Sequence, residues 1–266
     1  MEVASPIRLS GLEPFWDRLR SAVRRVLLLD YDGTLAPFTI QRENAEPYTG
    51  VREALVGIID AGSRVVLVTG RSARNLLTLL RLTRTPEIWG AHGMERLHPD
   101  GRLERIPLRF NATRGLKTAL ERARQAGFQQ QLERKYGCLA LHWRGMSPAD
   151  IQVVESEIVR RWSPLTQDGS LEFRRFDGGL ELRAAGHGKG EVVQMVLAEE
   201  KNRPAAAYLG DDLTDEDAFR AVKGCGLALL VRSEWRKSEA DAWIRPPDEL
   251  LEFLHRWREI CDYKSR

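Results

Sequence analysis

Two aspartates one residue apart, Asp30 and Asp32, stand where the apolar run Val26 to Leu29 ends. Burial fixes such a run, and the residues just past its end are aimed at whatever binds there. Three other segments carry reactive residue types in the same setting. Thr69, Gly70 and Arg71 follow "RVVLV", Asp211 and Asp212 follow "AAAYLG", and Lys189 lies in the glycine-rich lead-in "GHGKG". Carboxylates gathered from two segments repel one another unless a cation lies among them. Oxygen-only ligands select Mg²⁺, which keeps several waters and takes phosphate oxygens as further ligands. The candidate ligands are Asp30, Asp32, Asp211 and Asp212. Lys189, Thr69 and the backbone amides near Gly33 and Gly70 can hold phosphoryl oxygens; Arg71 either joins them or caps its neighbour. Asp30 can then attack phosphorus to form an aspartyl-phosphate. Asp32 can protonate the leaving oxygen and later deprotonate the water that hydrolyses the intermediate. Gly33 permits the tight turn that keeps both carboxylates on the reactive side.

The elements that must position these residues alternate. "RVLLLD", "RVVLVTG" and "EIWGAHG" read as strands separated by the helices "TGVREALVGIIDAG" and "SARNLLTLLRL". The rhythm returns in "GKGEVVQMVLAEE", "AAAYLGDD", "TDEDAFRAV", "GLALLV" and "PDELLEFLHRWREI". Strand, helix, strand in this order predicts right-handed crossovers and a doubly wound parallel sheet, covered on both faces. Between the halves the texture changes to the hairpins "QQQLERKYGCLALHWRG" and "LEFRRFDGGLELRAA", with helices "ATRGLKTALERARQAG" and "PADIQVVESEIVRRW". That stretch predicts an inserted α+β domain. Residues 1 to 20 are expected as a peripheral arm or first helix.

The 266 residues carry 41 basic and 38 acidic side chains, interspersed, for a formal net charge of +3, so nucleic acid is not the expected partner. Cys138, Cys225 and Cys261 are widely spaced and form no metal-ligand pattern, which points to reduced thiols in a cytoplasmic setting. No apolar run approaches the roughly 20 residues of a membrane helix, and the N-terminus has charges and prolines where a signal peptide needs its apolar stretch.

Taken in order, "DYDGT", "VTGRS", "GKG" and "GDDLTDEDAF" resemble the motifs of the haloacid dehalogenase superfamily of phosphotransferases. Within it, "LDYDGTLAPF", "GAHGME", "ERKYGCLALHWRG", "LELRAAGHGKG" and "YLGDDLTDEDAF" are similar to the trehalose-6-phosphate phosphatase family. The resemblance implies a catalytic core over residues 1–106 and 186–266 and a type 2 cap over 107–185 that closes over small substrates. It implies Asp30 as nucleophile, Asp32 as acid and base, Thr69 and Lys189 as phosphate ligands, and Asp211 with the backbone carbonyl of Asp32 on Mg²⁺. Asp212 and Asp215 either reach the metal through water or orient its ligands. The resemblance also assigns sugar contacts to Glu133, Lys135, Arg144 and Glu181, and it implies a monomer working beside a trehalose-6-phosphate synthase. His187 departs from the pattern, since an aspartate is usual there.

The side-chain chemistry is consistent with that assignment. Glu133 and Lys135 lie two apart on one strand and so share a face, as do His142 and Arg144 after the turn at Gly137. Charged groups clustered in this way suit sugar hydroxyls, although a solvated face with cross-strand ion pairs reads the same way. Phosphatases of sucrose phosphate, mannosyl-3-phosphoglycerate or glucosylglycerol phosphate share the core motifs. A signalling receiver domain also uses aspartates, a threonine, a lysine and Mg²⁺, but is about half as long, and a second aspartate placed to activate water favours turnover.

Overall fold

The computed structural model describes residues 7–39, 44–176 and 178–262. The first six residues of the expected N-terminal arm and Asp177, in the turn of the second hairpin, lie outside them. The strands are β1 (Arg25–Leu29), β2 (Arg64–Val68), β3 (Glu87–Gly90), β4 (Glu95–Leu97), β5 (Leu103–Arg105), β6 (Leu132–Lys135), β7 (Cys138–His142), β8 (Leu171–Phe176), β9 (Gly179–Ala184), β10 (Ala205–Gly210), β11 (Gly226–Val231) and β12 (Ala242–Ile244). The helices are α1 (Glu13–Ser21), α2 (Val51–Asp60), α3 (Ala73–Leu80), α4 (Phe110–Gln125), α5 (Pro148–Trp162), α6 (Lys189–Ala198), α7 (Glu216–Val222) and α8 (Asp248–Asp262). The chain divides into two compact units, residues 1–104 with 188–266, and residues 105–187.

The first unit is built on an eight-stranded sheet in the order β12-β11-β10-β1-β2-β3-β4-β5. β1 is central and pairs in parallel with β10 on one side and β2 on the other. Its four apolar residues are all fully buried because both faces are covered. Leu27 and Leu29 pack with Trp16, Leu55, Phe253 and Trp257, from α1, α2 and α8. Val26 and Leu28 point the other way, into Val192, Val196 and Phe219 of α6 and α7. Alternation of the side chains therefore uses both layers, and the result is an α/β doubly wound core.

The parallel ladder brings three strand ends to one rim. Leu29 is level with Leu209 of β10 and with Leu67 of β2, so Asp30, Asp211 and Thr69 all follow within a residue or two of the same edge. The helices that follow β1 and its neighbour β10, α2 and α7, pack on opposite faces of the sheet, which makes this pair the switch point at which open α/β sheets collect ligands.

The second unit is a four-stranded antiparallel sheet in the order β6-β7-β9-β8. Leu139, Leu141, Leu180 and Leu182 share one face by the period of two, and α4 and α5 lie against each other, with Trp162 Nε1 donating to the Ala119 carbonyl at 3.0 Å. The registers Glu133↔Ala140, Ala140↔Glu181 and Arg174↔Glu181 put the charged residues together on the opposite face.

Candidate active site

Asp30 leaves β1 with its amide still bonded to the Leu209 carbonyl, at 2.9 Å, so its backbone belongs to the sheet. Its side chain is 6 % exposed, and Oδ1 lies 2.8 Å from Lys189 Nζ at the start of α6. Lys189 is equally enclosed and spans two carboxylates, with Asp215 Oδ1 at 2.7 Å. Asp215 is occupied on both oxygens. Oδ1 also accepts from the Tyr208 hydroxyl at 2.5 Å, and Oδ2 accepts from the amides of Asp211 and Asp212 at 3.1 and 2.9 Å.

Gly33 has a φ of 86°, a region that a residue with a Cβ enters only under strain. A Cβ there would also fall 2.2 Å from Asp211 Oδ2. The glycine after the aspartate pair therefore both turns the chain and leaves room for the carboxylate of the neighbouring strand end. Thr34, one residue on, donates to Asp211 Oδ1 at 3.3 Å.

Asp32 takes a different partner. Arg71 grips it at two points, Nε to Oδ2 at 2.7 Å and Nη2 to Oδ1 at 2.5 Å, while Nη1 reaches Asn75. A bidentate guanidinium–carboxylate pair is strong and directional. The Arg71 side chain is only 4 % exposed, whereas that of Asp32 is 24 % exposed, so solvent reaches the carboxylate and the guanidinium is enclosed. Thr69, at the end of β2, accepts the Arg71 amide on Oγ1 at 3.1 Å, and Ser72 caps α3 by accepting the Asn75 amide.

Charge does not balance at this rim. Among the described residues, the carboxylates of Asp30 and Asp215 share Lys189 and that of Asp32 pairs with Arg71, while Arg232 and Arg236 lie on the carbonyls of Asp211 and Asp212. Burial raises the Asp30 pKa to about 7; Lys189 opposes the rise while Asp215 and Asp32 add to it. Burial, with the charges of Asp30 and Asp215, raises the Asp211 pKa well above its ordinary value. Burial works against the Lys189 ammonium too, yet Asp215 and Asp30 hold its pKa above the ordinary lysine value. The site therefore has a deficit of positive charge, felt most by Asp30 and Asp211.

The donor set fits a small hard cation. Oxygens of Asp30, Asp211 and Asp215 come within 4.8 Å of one another, and Asp211 Oδ2 is buried with no hydrogen-bond partner. A buried carboxylate oxygen left in that state is costly unless something binds it. Asp212 Oδ1, by contrast, accepts the Leu213 amide at 2.6 Å and forms a capping box with Asp215. Of the four carboxylates expected around the metal, Asp30 and Asp211 enter the cluster, Asp32 sits beside it on Arg71, and Asp212 caps the next turn.

Several contributors carry no motif of their own. Arg236 donates to the Asp212 carbonyl at 2.8 Å and bonds Glu216, clamping the strand-end loop from a segment beyond β11. Tyr208 is signalled only as the one polar side chain in the alanine-rich strand β10. Burial and the Asp215 charge raise its pKa well above the usual value, which keeps it a donor.

In the second unit Lys135 Nζ lies 2.7 Å from Glu181 Oε1 with both side chains almost fully enclosed. His142 Nε2 lies 2.9 Å from Glu133 Oε2. Arg144 follows β7 and packs over Gly178, where a Cβ would come within 2.5 Å of its Cγ and Nε. Glu133, Lys135 and Glu181 are thus brought together on the charged sheet face, and Arg144 lies at the end of β7 beside His142.

The chain is 27% identical over 263 residues to the probable trehalose-phosphate phosphatase 3 of Oryza sativa subsp. japonica, covering 88% of this chain and 69% of the relative. The C-terminal domain of a Candida albicans trehalose-6-phosphate phosphatase superposes with a TM-score of 0.80 at 19% identity, over 97% of this chain and 99% of that one. A phosphatase of the haloalkanoate (HAD) superfamily from Bacteroides thetaiotaomicron shares the fold at a TM-score of 0.62 and 20% identity, over 89% of this chain and 96% of the other. The trehalose-phosphatase family model matches residues 28–239, a span running from within β1 past the acidic strand end to the segment beyond β11. The chain therefore belongs to the trehalose-phosphatase family, and is a phosphatase with a haloacid dehalogenase-like core.

Proposed function

We propose that the protein hydrolyses trehalose 6-phosphate to trehalose and orthophosphate through an aspartyl-phosphate on Asp30, with Mg²⁺ as cofactor. The supporting observation is the convergence of Asp30, Lys189, Asp211 and Asp215, with an acidic excess that a bound cation would offset and a buried Asp211 oxygen left for it to bind. Asp30, Asp211 and the Asp32 carbonyl would hold the ion, with Asp212 and Asp215 orienting its ligands. Bound Mg²⁺ supplies positive charge to the carboxylates and to the phosphoryl oxygens.

The chain's own groups divide the chemistry between them. Lys189 holds one Asp30 oxygen and neutralises the approach of a dianionic phosphoryl group. Thr69, the amide of Gly70 and Arg71 receive the phosphoryl oxygens. An Asp30 oxygen attacks phosphorus as the bond from phosphorus to the sugar oxygen breaks, and Asp32 gives that oxygen its proton. Water, deprotonated by Asp32, then attacks phosphorus, and orthophosphate leaves with Asp30 restored. For this Asp32 must exchange Arg71 for the leaving oxygen, and a phosphoryl dianion is the natural competitor for a guanidinium. Glu133, Lys135, Arg144 and Glu181 bind sugar hydroxyls. An enclosed Lys135–Glu181 pair adds little to stability, since desolvation offsets its attraction, and so suits a ligand-binding role. The three free thiols, Cys138, Cys225 and Cys261, favour a cytoplasmic setting; among the described residues no helix is long and apolar enough to cross a membrane.

Orthophosphate release from a panel of glycosyl phosphates at fixed Mg²⁺ tests the assignment. Trehalose 6-phosphate should give the highest kcat/KM. A higher value for sucrose phosphate, mannosyl-3-phosphoglycerate or glucosylglycerol phosphate contradicts the disaccharide reading, and no turnover of any of them contradicts the reaction.

A further inference from the structure

The segment after β3 adopts a backbone that its residues do not favour. Ala91 (φ 48°), His92 (φ 55°) and Gly93 (φ 94°) are all left-handed in succession. Among the described residues Arg81 (φ 49°) is the other non-glycine in that region, and it ends helix α3, where a left-handed residue is routine. Two consecutive left-handed residues with a Cβ persist only where the surroundings hold them there, and such strain gathers at functional sites.

Here the surroundings are the phosphoryl-binding turn. Ala91 N–H donates to the Arg71 carbonyl at 2.6 Å, His92 N–H donates to the Thr69 carbonyl at 3.0 Å, and Thr69 N–H donates to the Trp89 carbonyl at 2.9 Å. The imidazole, with His92 only 7 % exposed, lies over Gly70. A Cβ on Gly70 would fall 2.6 Å from its Cε1 and 2.7 Å from its Nε2. The far side of the same turn touches the start of α6, since a Cβ on Gly93 would meet Val192 Cγ2 at 2.6 Å and the Gly188 carbonyl at 3.5 Å. One strained turn is therefore wedged between the segment carrying Thr69 and the segment carrying Lys189.

A chain that needed only the turn would be served more easily by glycine at 92, as at 93. The imidazole is held despite the backbone cost. We propose that His92 is a positioning residue, its ring fixing the Thr69–Gly70–Arg71 turn so that the amide of Gly70 and the Thr69 hydroxyl meet the transferring phosphoryl group. This rests on the reading of that turn as the phosphoryl site and adds a residue that acts through it.

The test compares wild type with His92→Gly, which keeps the left-handed backbone and removes the ring, and His92→Asn, which tolerates that backbone and keeps a polar side chain. We expect kcat per folded molecule to fall by about ten- to a hundred-fold in His92→Gly. The factor should be the same for p-nitrophenyl phosphate and for trehalose 6-phosphate, with partial recovery in His92→Asn. Inhibition by orthophosphate should weaken by a smaller factor than kcat falls, and KM for trehalose 6-phosphate should rise by no more than that smaller factor. A purely structural histidine would shift the melting temperature and leave kcat and orthophosphate inhibition of the folded fraction unchanged, and that result overturns the proposal. A loss confined to one substrate overturns it too. If His92→Gly does not fold, His92→Asn carries the comparison, with a kcat loss on both substrates expected and wild-type kcat contradicting it. Wild type that turns over p-nitrophenyl phosphate but not trehalose 6-phosphate would contradict the substrate assignment and leave the His92 comparison intact.

Discussion

Asp30 and Asp211 are neighbours with opposite roles, and their surroundings separate them. Asp30 has Lys189 on one oxygen, so one side of its carboxylate is neutralised and the other is the one that attacks phosphorus in the proposed reaction. Replacing it by asparagine retains the shape and the lysine contact but removes the nucleophile. Asp30→Asn should lose turnover by about 10³-fold or more with an unchanged circular dichroism spectrum, and activity within ten-fold of wild type would exclude Asp30 as nucleophile. Asp211 holds a buried oxygen with no partner. Asp211→Asn should raise the Mg²⁺ concentration for half-maximal activity by about ten-fold or more. Without metal the same variant should melt above wild type, because it removes a charge that burial and two other carboxylates disfavour. A lower melting temperature in EDTA would contradict the charge imbalance.

At the scale of elements, the site is a property of strand ends. The registers of β1 with β10 and β2 align Asp30, Asp211 and Thr69, and one glycine lets two of the ends approach. Gly33→Ala adds a methyl group 2.2 Å from Asp211 Oδ2 on a left-handed backbone. It should destabilise the protein by about 1–3 kcal/mol and lower kcat by at least about 10²-fold; calorimetry with an activity assay checks both, and a neutral substitution would show that the two strand ends are not packed together.

These ends were legible in the sequence because a doubly buried strand is a continuous apolar run and its stop is conspicuous. The same rule does not reach β4, β5 and β12, each of three residues and too short for any period to show. Nor does it reach contacts made by side chains far apart in the chain. The pairing of Arg71 with Asp32, 39 residues apart, and the grip of Arg236 on the Asp212 carbonyl follow from the folded arrangement. By its motif Asp215 is expected to reach the metal through water or to orient its ligands. In the structure it is a cap that also anchors Lys189, Tyr208 and two amides.

For the whole molecule, the proposed function assigns chemistry and sugar recognition to different units of the chain. Residues 1–104 and 188–266 carry the acidic strand ends, and residues 105–187 carry the charged sheet face with Glu133, Lys135 and Glu181. Arg144→Ala and Glu181→Gln should each raise KM for trehalose 6-phosphate by about ten-fold while changing kcat/KM for p-nitrophenyl phosphate less than two- to three-fold. Equal losses on both substrates would remove the sugar-binding role.

Phosphoryl transfer to the first aspartate of the central strand is tested most directly by trapping. Enzyme mixed with Mg²⁺ and trehalose 6-phosphate, quenched in acid and reduced with borohydride, converts an aspartyl-phosphate to homoserine, which peptide mass spectrometry locates. Homoserine should appear at Asp30, depend on substrate, and be absent in Asp30→Asn. Reduction at another aspartate, or steady release of orthophosphate with no residue reduced under conditions that trap a known aspartyl-phosphate, would contradict the mechanism.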